Sequence, residues 1–323
     1  MSSSISNFNM KYLPFVQPLL FLGIFAILLT TIDYTLKWGV KHSTDAQTGK
    51  INQIMLHKVD PDLMVFGSSV AEVGFNSPLL SQELGLYSFN GAVDGTRFQQ
   101  YKGLVKEVNA FSENAKYIVF GITYFDFIKT NQLTEPSRFY AFINNDNIYQ
   151  SLYEIDNENV HKVKSIPFYA FTQYTHTYYK NALLGLRSHL TSRTPVDSLF
   201  GFVPHKAAWN ADTAKPAHVQ KIKLSPELLN DFKILKEQLN SRERKVIVVF
   251  MPMHVSGQRH FSNLKEVVQQ ISTLADPGLF FDYTDSSICE STEYFYNQNH
   301  LNTRGANTFS AHFAKELEKR LKL

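Results

Sequence analysis

Two segments of the chain carry residue types that can transfer an acyl group. Residues 62–67 form a short apolar run that continues into Ser68 and Ser69, and His300 lies near the carboxyl end in the segment FYNQNHLNTRGANTFS, residues 295–310. A serine hydroxyl is a poor nucleophile at neutral pH unless a base takes its proton and hydrogen-bond donors stabilise the oxyanion. Each motif alone has an ordinary structural explanation, so the chemistry depends on whether the fold brings Ser69 and His300 together.

The elements that must position these residues follow from hydrophobic periodicity. Continuous apolar runs are typical of strands buried on both faces of a parallel sheet, and they occur at residues 62–67, 86–93, 116–122, 245–252 and 279–284. Apolar residues at three- and four-residue spacing predict helices at residues 97–111, 225–240, 261–275 and 305–323. This alternation predicts an α/β fold, a doubly wound α/β/α sandwich with a mainly parallel sheet of about five strands. Functional residues of such a sheet gather at the carboxyl ends of the strands, where Ser69 stands and to which the loop of His300 can return.

Three blocks of the sequence resemble those of the SGNH (GDSL-like) hydrolases: GSS at 67–69, FNGAVDGTR at 89–97 and HLNTRGANTFS from His300. More narrowly, the chain is similar to the membrane-anchored branch of that family in bacterial cell envelopes, which includes the teichoic-acid D-alanylation and alginate acetylation proteins. The resemblance covers residues about 60–127 and 245–320. It implies that Ser69 is the nucleophile, that His300 is the base, and that the N–H groups of Gly95 and Ser69 hold the oxyanion.

The sequence departs from the family pattern at two positions. Thr123 stands where the third block usually has the Asn that completes the oxyanion hole, and Asn297 stands where the last block usually has an Asp. An Asn can hold an imidazole by a hydrogen bond but cannot stabilise an imidazolium by charge, and in a serine protease the equivalent exchange lowers turnover by about 10⁴. Three outcomes stay open: a carboxylate such as Asp282 or Asp285 approaches His300, the site works as a slow Ser–His dyad, or catalysis is lost.

The amino-terminal region has the character of a membrane anchor. Residues 13–32 contain no charge and have about the length needed to cross a bilayer. A cleaved signal peptide would have a similar apolar core, but no small-residue cleavage site follows, so we favour a permanent anchor over residues 1–40. Lys37 and Lys41 follow the span and favour a cytoplasmic body. The family resemblance implies an extracytoplasmic (periplasmic) body at the bacterial inner membrane, and we follow the resemblance.

Residues 41–323 are predicted to form one SGNH-like domain with a helical, aromatic-rich insertion at about 128–224. The aromatic residues of the insertion could stack on sugars or lie on a membrane. The simpler expectation is a helical subdomain that packs its own small core.

Composition argues against several other classes of protein. The formal net charge of +3 is small and dispersed, which argues against a nucleic-acid partner. Cys289 is the only cysteine and is expected to be structural, while His254 and His260 are a poor metal pair, so no metal or cofactor is expected. Arg97, two residues after Gly95, is the side chain that could meet an anionic substrate or acyl donor.

The sequence therefore predicts an envelope esterase or O-acyltransferase that acts on an acylated glycan or lipid. The alternative, from another class, is a catalytically silent partner subunit of a membrane complex, for example with a membrane-bound O-acyltransferase. Asn297, Thr123, the insertion and the span favour that alternative. A lipase-like action on bilayer lipids is a third hypothesis, and no residue of the sequence distinguishes it from the first.

Overall fold

The described part of the protein is built around a five-stranded parallel sheet. The computed structural model describes residues 13–173, 175–191, 199–209 and 218–322. The sheet has the order β2-β1-β3-β4-β5 and consists of β1 Leu63–Gly67, β2 Ser88–Asn90, β3 Tyr117–Ile122, β4 Lys245–Phe250 and β5 Phe280–Asp282. β1 and β2 are buried along their whole length, and β3 and β4 are buried after their first residue. Each strand lies inside a range predicted from an apolar run, so the parallel sheet is confirmed.

Helices cover both faces of this sheet. In chain order the α-helices of the described residues are α1 Leu13–Lys41, α2 Ala46–Met55, α3 Ser69–Gly74, α4 Ser77–Leu84, α5 Phe98–Phe111, α6 Asp146–Tyr153, α7 Asn157–Ser165, α8 Tyr169–Gln173, α9 Thr175–Leu190, α10 Pro226–Asn240, α11 Val255–Gln258, α12 Leu264–Ser272 and α13 Thr303–Leu321. Because side chains alternate along a strand, Phe66 packs with α2, α5, α10 and α12 on one face, whereas Val65 packs with α3, α4 and α13 on the other. The predicted doubly wound sandwich is confirmed.

The order of the strands reverses at β1. This strand pairs with β2 on one side and with β3 on the other. In an open parallel sheet, the crevice outside the carboxyl ends at such a reversal is the usual place for a ligand. Because α3 begins with Ser69 directly after β1, the fold places this serine at the crevice.

The segment between β3 and β4 is helical, but its described residues do not form a separate core. It contains short 3₁₀ helices at Pro136–Arg138 and Tyr140–Phe142, followed by α6 to α9. Most of its buried apolar side chains, including Phe171 and Tyr178, belong to the same apolar cluster as Phe66 of the sheet. The expectation of a small independent core is wrong because these aromatic residues extend the core of the main domain.

The first helix, α1, changes its surroundings along its length. An 18-residue stretch of Val16–Lys41 has a mean hydropathy of 2.0, and this is, among the described residues, the one helix long and apolar enough to cross a membrane. Its large apolar side chains are exposed as far as Ile32, whereas Asp33 and Val40 are buried. Near its end α1 crosses α9 so closely that a Cβ on Gly39 would lie 2.5 Å from the carbonyl oxygen of Ala182. The last turns of the helix therefore pack as part of the folded body.

Candidate active site

Ser69 follows a turn that requires glycine. Gly67 has a φ of +153°, and a Cβ at this position would lie 2.2 Å from the carbonyl oxygen of Gly121. Side chains do not fit such a position, so β1 has to end in glycine. Ser68 is the N-cap of α3 and Ser69 is its first residue. The backbone N–H of Ser69 therefore lies at a helix end, where N–H groups lack an intrahelical acceptor.

Two buried polar side chains hold α3 against the loop that follows β2. The side-chain Nδ2 of Asn90 donates to the carbonyl oxygens of Ala71, Glu72 and Phe75 at 3.0, 3.1 and 3.0 Å. Lys50 of α2 donates to Glu72 Oε1 at 2.8 Å and to the carbonyl oxygen of Ala92 at 2.7 Å. The lysine and Glu72 side chains are 1% and 2% exposed. These contacts fix the serine helix relative to the segment that carries Gly95.

His300 lies against the serine. Its Nε2 is 2.7 Å from Ser69 Oγ, and its Nδ1 is 2.9 Å from Asn297 Oδ1. The same Oδ1 atom accepts the backbone N–H groups of Asn299 at 2.9 Å and of His300 at 3.0 Å. An atom that accepts two backbone N–H groups is the amide oxygen, so Nδ1 has to donate its proton to it. The lone pair of Nε2 then faces the serine hydroxyl, which is the tautomer that a general base needs.

The imidazole of His300 has a low proton affinity. Burial lowers its pKa to about 4, an effect that the carboxylate of Asp94 opposes and that His205 reinforces. The ring is therefore neutral at pH 7 and free to accept the serine proton.

The carboxylate that acts on His300 is Asp94, and sequence reasoning missed it. Asp282 instead accepts the backbone N–H and the hydroxyl of Thr284 at 2.9 and 2.8 Å. Asp285 is exposed, and neither of these two carboxylates contributes to the pKa of His300. Asp94 could have been predicted to lie near the site because it directly precedes Gly95, in the second block that resembles the SGNH family.

Three aromatic rings form a column that ends at His300. The rings of His205 and Tyr296 stack with centroids 3.7 Å apart, and those of Tyr296 and His300 lie 5.3 Å apart at an interplanar angle of 22°. Burial raises the pKa of Tyr296 to about 12, so its hydroxyl stays protonated. The carbonyl oxygen of His205 accepts the N–H of Thr303 at 2.9 Å, which ties the column to the start of α13. Neither His205 nor Tyr296 was predicted from the sequence to lie at this site.

Gly95 lies in the loop beside the serine turn. The N–H of Val93 donates to the carbonyl oxygen of Gly67 at 3.0 Å, which holds this loop at the end of β1. Gly95 has a φ of +75°, and a Cβ there would lie 2.6 Å from Cγ2 of Thr134. Within the part of the chain that the structure describes, the N–H groups of Gly95 and Ser69 donate no hydrogen bond.

Thr123 caps a short helix, whereas its position in the sequence suggested a place in the oxyanion hole. Its hydroxyl oxygen accepts the N–H of Phe125 at 3.2 Å, and its own N–H donates to Asp126 Oδ2 at 2.8 Å. These bonds form a capping box at the start of the 3₁₀ helix Tyr124–Phe127. The structure shows no contact of this side chain with Ser69 or His300 among the described residues.

Arg97 is also held by structural contacts. Its guanidinium lies 4.0 Å from the ring centroid of Phe125, and its Nη1 donates to the carbonyl oxygen of Ile128 at 2.8 Å. Burial lowers the pKa of Arg97, and the carboxylate of Asp126 opposes that effect. The side chain therefore joins the start of α5 to the base of the insertion.

His254 and Cys289, considered from the sequence as a metal ligand and as a nucleophile, both make local structural contacts. Nδ1 of His254 accepts the N–H of Ser256 at 3.2 Å, at the start of α11. Cys289 is buried, and burial raises the pKa of its thiol to about 12. A thiol in this state is a poor nucleophile.

Comparison with known proteins identifies no family for this chain. No protein-family model and no curated protein matches it. Among solved structures, one described provisionally as a platelet activating factor from Streptococcus pneumonia aligns with a TM-score of 0.41 and 13% sequence identity, over 88% of this chain and 93% of that chain. An overlap of this quality carries no argument, so the chemistry proposed below depends on the residues of this chain alone.

Proposed function

We propose that the protein is a serine esterase or O-acyltransferase of the SGNH type that acts on an acylated glycan or lipid. One observation carries the proposal: Ser69 Oγ lies 2.7 Å from Nε2 of His300, whose Nδ1 is held 2.9 Å from Asn297 Oδ1. Nucleophile, base and orienting group are then joined in one chain of hydrogen bonds, as nucleophilic catalysis requires.

The reaction starts with attack of Ser69 Oγ on the carbonyl carbon of an acyl ester. As the new C–O bond forms, the serine proton moves to Nε2 of His300 and the carbonyl π electrons move to the oxygen. The oxyanion collapses, the bond to the leaving oxygen breaks, and that oxygen takes the proton from Nε2. Water or a sugar hydroxyl then attacks the acyl-serine by the same steps in reverse, which releases an acid or a new ester.

The N–H groups of Ser69 and Gly95 are the oxyanion donors in this proposal. Their support is the free state of both N–H groups among the described residues and the contact between Val93 and Gly67 that holds the two segments together. Donors fixed in place before the reaction stabilise the charge that develops on the oxygen. Thr123 contributes no side-chain donor because its hydroxyl belongs to the capping box.

The proposal places the enzyme on the inner membrane of a bacterium, with its body outside the cytoplasm. The apolar span of α1 supports a single-pass anchor, and the packing of its last turns on α9 supports an anchor that is retained. An acyl acceptor or donor embedded in the membrane, or a membrane-bound O-acyltransferase, is then within reach of the site.

A second candidate function is that of a catalytically silent subunit of a membrane complex. The specific observation in its favour is Asn297, which orients His300 but supplies no negative charge to an imidazolium. In this case the Ser69–His300 pair is a remnant of the fold, and the protein acts by binding its membrane partner.

Labelling with a fluorophosphonate probe separates these two functions. The full chain in detergent should be labelled in wild type and in Ser68→Ala, because Ser68 makes no side-chain cap bond and is not the proposed nucleophile. Ser69→Ala and His300→Ala should abolish labelling. A folded wild-type protein that is not labelled would refute the enzyme and favour the silent subunit.

A further inference from the structure

A cavity of about 610 Å³ lies where α1 ends. Its described walls come from the last turn of α1, from α2, from the last turn of α9 and from residues 199–203, and they include neither Ser69 nor His300. This volume is typical of cavities that bind small molecules. The proposed acyl chemistry makes no use of it.

The charged groups of the cavity are mainly basic. Lys41 and Lys58 line it, and neither has a carboxylate partner among the described residues. Lys50 also reaches the wall, but its ammonium group is held by Glu72 and a backbone carbonyl. The described lining contains a single carboxylate, Asp45, which caps α2 by accepting the N–H of Thr48 at 3.2 Å and has Lys180 at 3.9 Å. The cavity therefore favours an anion.

Two histidines add hydrogen-bonding groups beside these lysines. His42 and His189 both line the cavity. The ring of Trp38 stacks on His42 at a centroid distance of 4.3 Å and meets His189 edge-on at 4.8 Å. Trp38 thus packs against both imidazoles that line the cavity.

Another part of the lining is apolar. Leu199, Phe202 and Val203 contribute it, and Leu199 is 40% exposed. A cavity lined both by ammonium groups and by hydrocarbon fits an amphiphile better than a free inorganic ion.

The position of the cavity along α1 indicates where such an amphiphile comes from. Tyr34 and Trp38 follow the exposed apolar part of the helix, and Tyr and Trp are enriched at the headgroup level of a bilayer. Lys41 lies about 5 Å beyond Trp38 along the helix axis. Basic side chains at this level attract anionic lipid headgroups.

We propose that this cavity binds the phosphate-bearing headgroup of an anionic membrane lipid. Lys41 and Lys58 contact the phosphate, and Leu199 and Phe202 contact the glycerol and the first acyl carbons. The bound lipid orients the body on the membrane surface. This site is independent of the Ser69 chemistry, so Ser69→Ala is expected to bind lipid as the wild type does.

Fluorescence of Trp38 in nanodiscs tests this site. The chain has two tryptophans, so Trp209→Phe leaves Trp38 as the reporter in the full chain. In phosphatidylcholine nanodiscs, an increasing fraction of phosphatidylglycerol should change this fluorescence with saturation. Lys41→Gln with Lys58→Gln should raise the fraction needed for half-saturation about tenfold. The matched control, Lys233→Gln with Lys315→Gln, removes two exposed lysines of α10 and α13 and should leave the curve unchanged.

A second variant keeps the test independent of folding. Ala46 is exposed, lines the cavity and is the first residue of α2, where a carboxylate favours the helix. Ala46→Glu should therefore weaken the response to phosphatidylglycerol without lowering the melting temperature. Identical curves for all variants would overturn the site. Saturation by glycerol phosphate added to pure phosphatidylcholine nanodiscs would identify a soluble phosphate ligand and overturn the lipid assignment.

Discussion

Asn297→Asp would place a carboxylate 2.9 Å from Nδ1 of His300 without changing the pattern of hydrogen bonds. The three N–H groups that reach Asn297 Oδ1, those of the imidazole and of the Asn299 and His300 backbones, can all donate to a carboxylate. Among the described residues, Nδ2 of Asn297 donates to no acceptor, so the substitution removes no hydrogen bond. The change tests charge alone.

The expected gain follows from the geometry of this contact. In the proposed mechanism His300 becomes an imidazolium in the transition state, and opposite charges about 4 Å apart attract by about 4 kcal/mol at an effective dielectric constant of about 20. At about 1.4 kcal/mol for each factor of ten, this sets a ceiling of about 10³ on the gain in rate. Removing water from the new carboxylate offsets part of it, so we expect Asn297→Asp to accelerate acyl transfer between about 10- and 1,000-fold.

The pH dependence gives an independent readout of the same variant. His300 acts as a base only when it is deprotonated, and its pKa of about 4 keeps the wild-type rate constant flat down to the region of pH 5. A carboxylate at position 297 raises that pKa, so the acid limb should move toward neutrality. The assay is the second-order rate constant of fluorophosphonate labelling across pH, with Ser69→Ala in the same background as the blank. Equal rate constants and an unmoved acid limb in Asn297→Asp would refute the assignment of His300 as the base.

Three other outcomes follow from contacts of the described residues. Lys50→Met leaves the carboxylate of Glu72 buried without its cationic partner and should lower the free energy of unfolding by about 3–5 kcal/mol. The double variant Lys50→Met with Glu72→Leu should recover most of that loss in denaturant titrations. Equal losses in the single and double variants would contradict the role of the pair. Because the folded pKa of His300, about 4, lies below the ordinary 6.5, stability should fall by about 3 kcal/mol as the pH drops from 6.5 through 4, and His300→Gln should flatten that slope in pH-dependent melts. The purified protein should retain α1 in its intact mass, because cleavage after the span would remove turns that pack on α9; a mass that lacks residues 1–40 would contradict a retained anchor.

The fold was accessible from the sequence because its signals are local. A strand buried on both faces has to be a continuous apolar run, so each of the five strands could be predicted from its own residues. The proximity of Ser69 and His300 could be predicted for a related reason: Ser69 follows a strand end, and His300 precedes the last helix at the same edge. The contact between Ser69 and His300 joins residues 231 positions apart, and only the predicted topology could suggest it.

The surroundings of His300 were harder to predict because they depend on where loops return. His205 belongs to a loop without hydrophobic periodicity, so nothing in the sequence indicated that its ring would stack on Tyr296. Asp94 acts on His300 through space, and the strength of that interaction depends on burial that no motif records. Arg97 and Thr123 show the reverse case. Their positions in the sequence suggested a role in the site, but their side chains make structural contacts with the insertion and with the adjoining 3₁₀ helix.

The weak basicity of His300 bears on the kind of acyl donor that Ser69 would use. Asn297 fixes the tautomer of the ring, so orientation is retained, while the charge of the usual Asp is absent. With a pKa near 4 instead of 6.5, the ring accepts the serine proton less favourably by about 3 kcal/mol. Because the costly step is then removal of the serine proton, such a base is best suited to an activated acyl group, whose more electrophilic carbonyl carbon offsets that cost. We therefore expect acylation of Ser69 by a thioester or an aryl ester to be much faster than by a sugar ester, and equal rate constants for these donors would show that proton transfer to His300 does not limit the reaction.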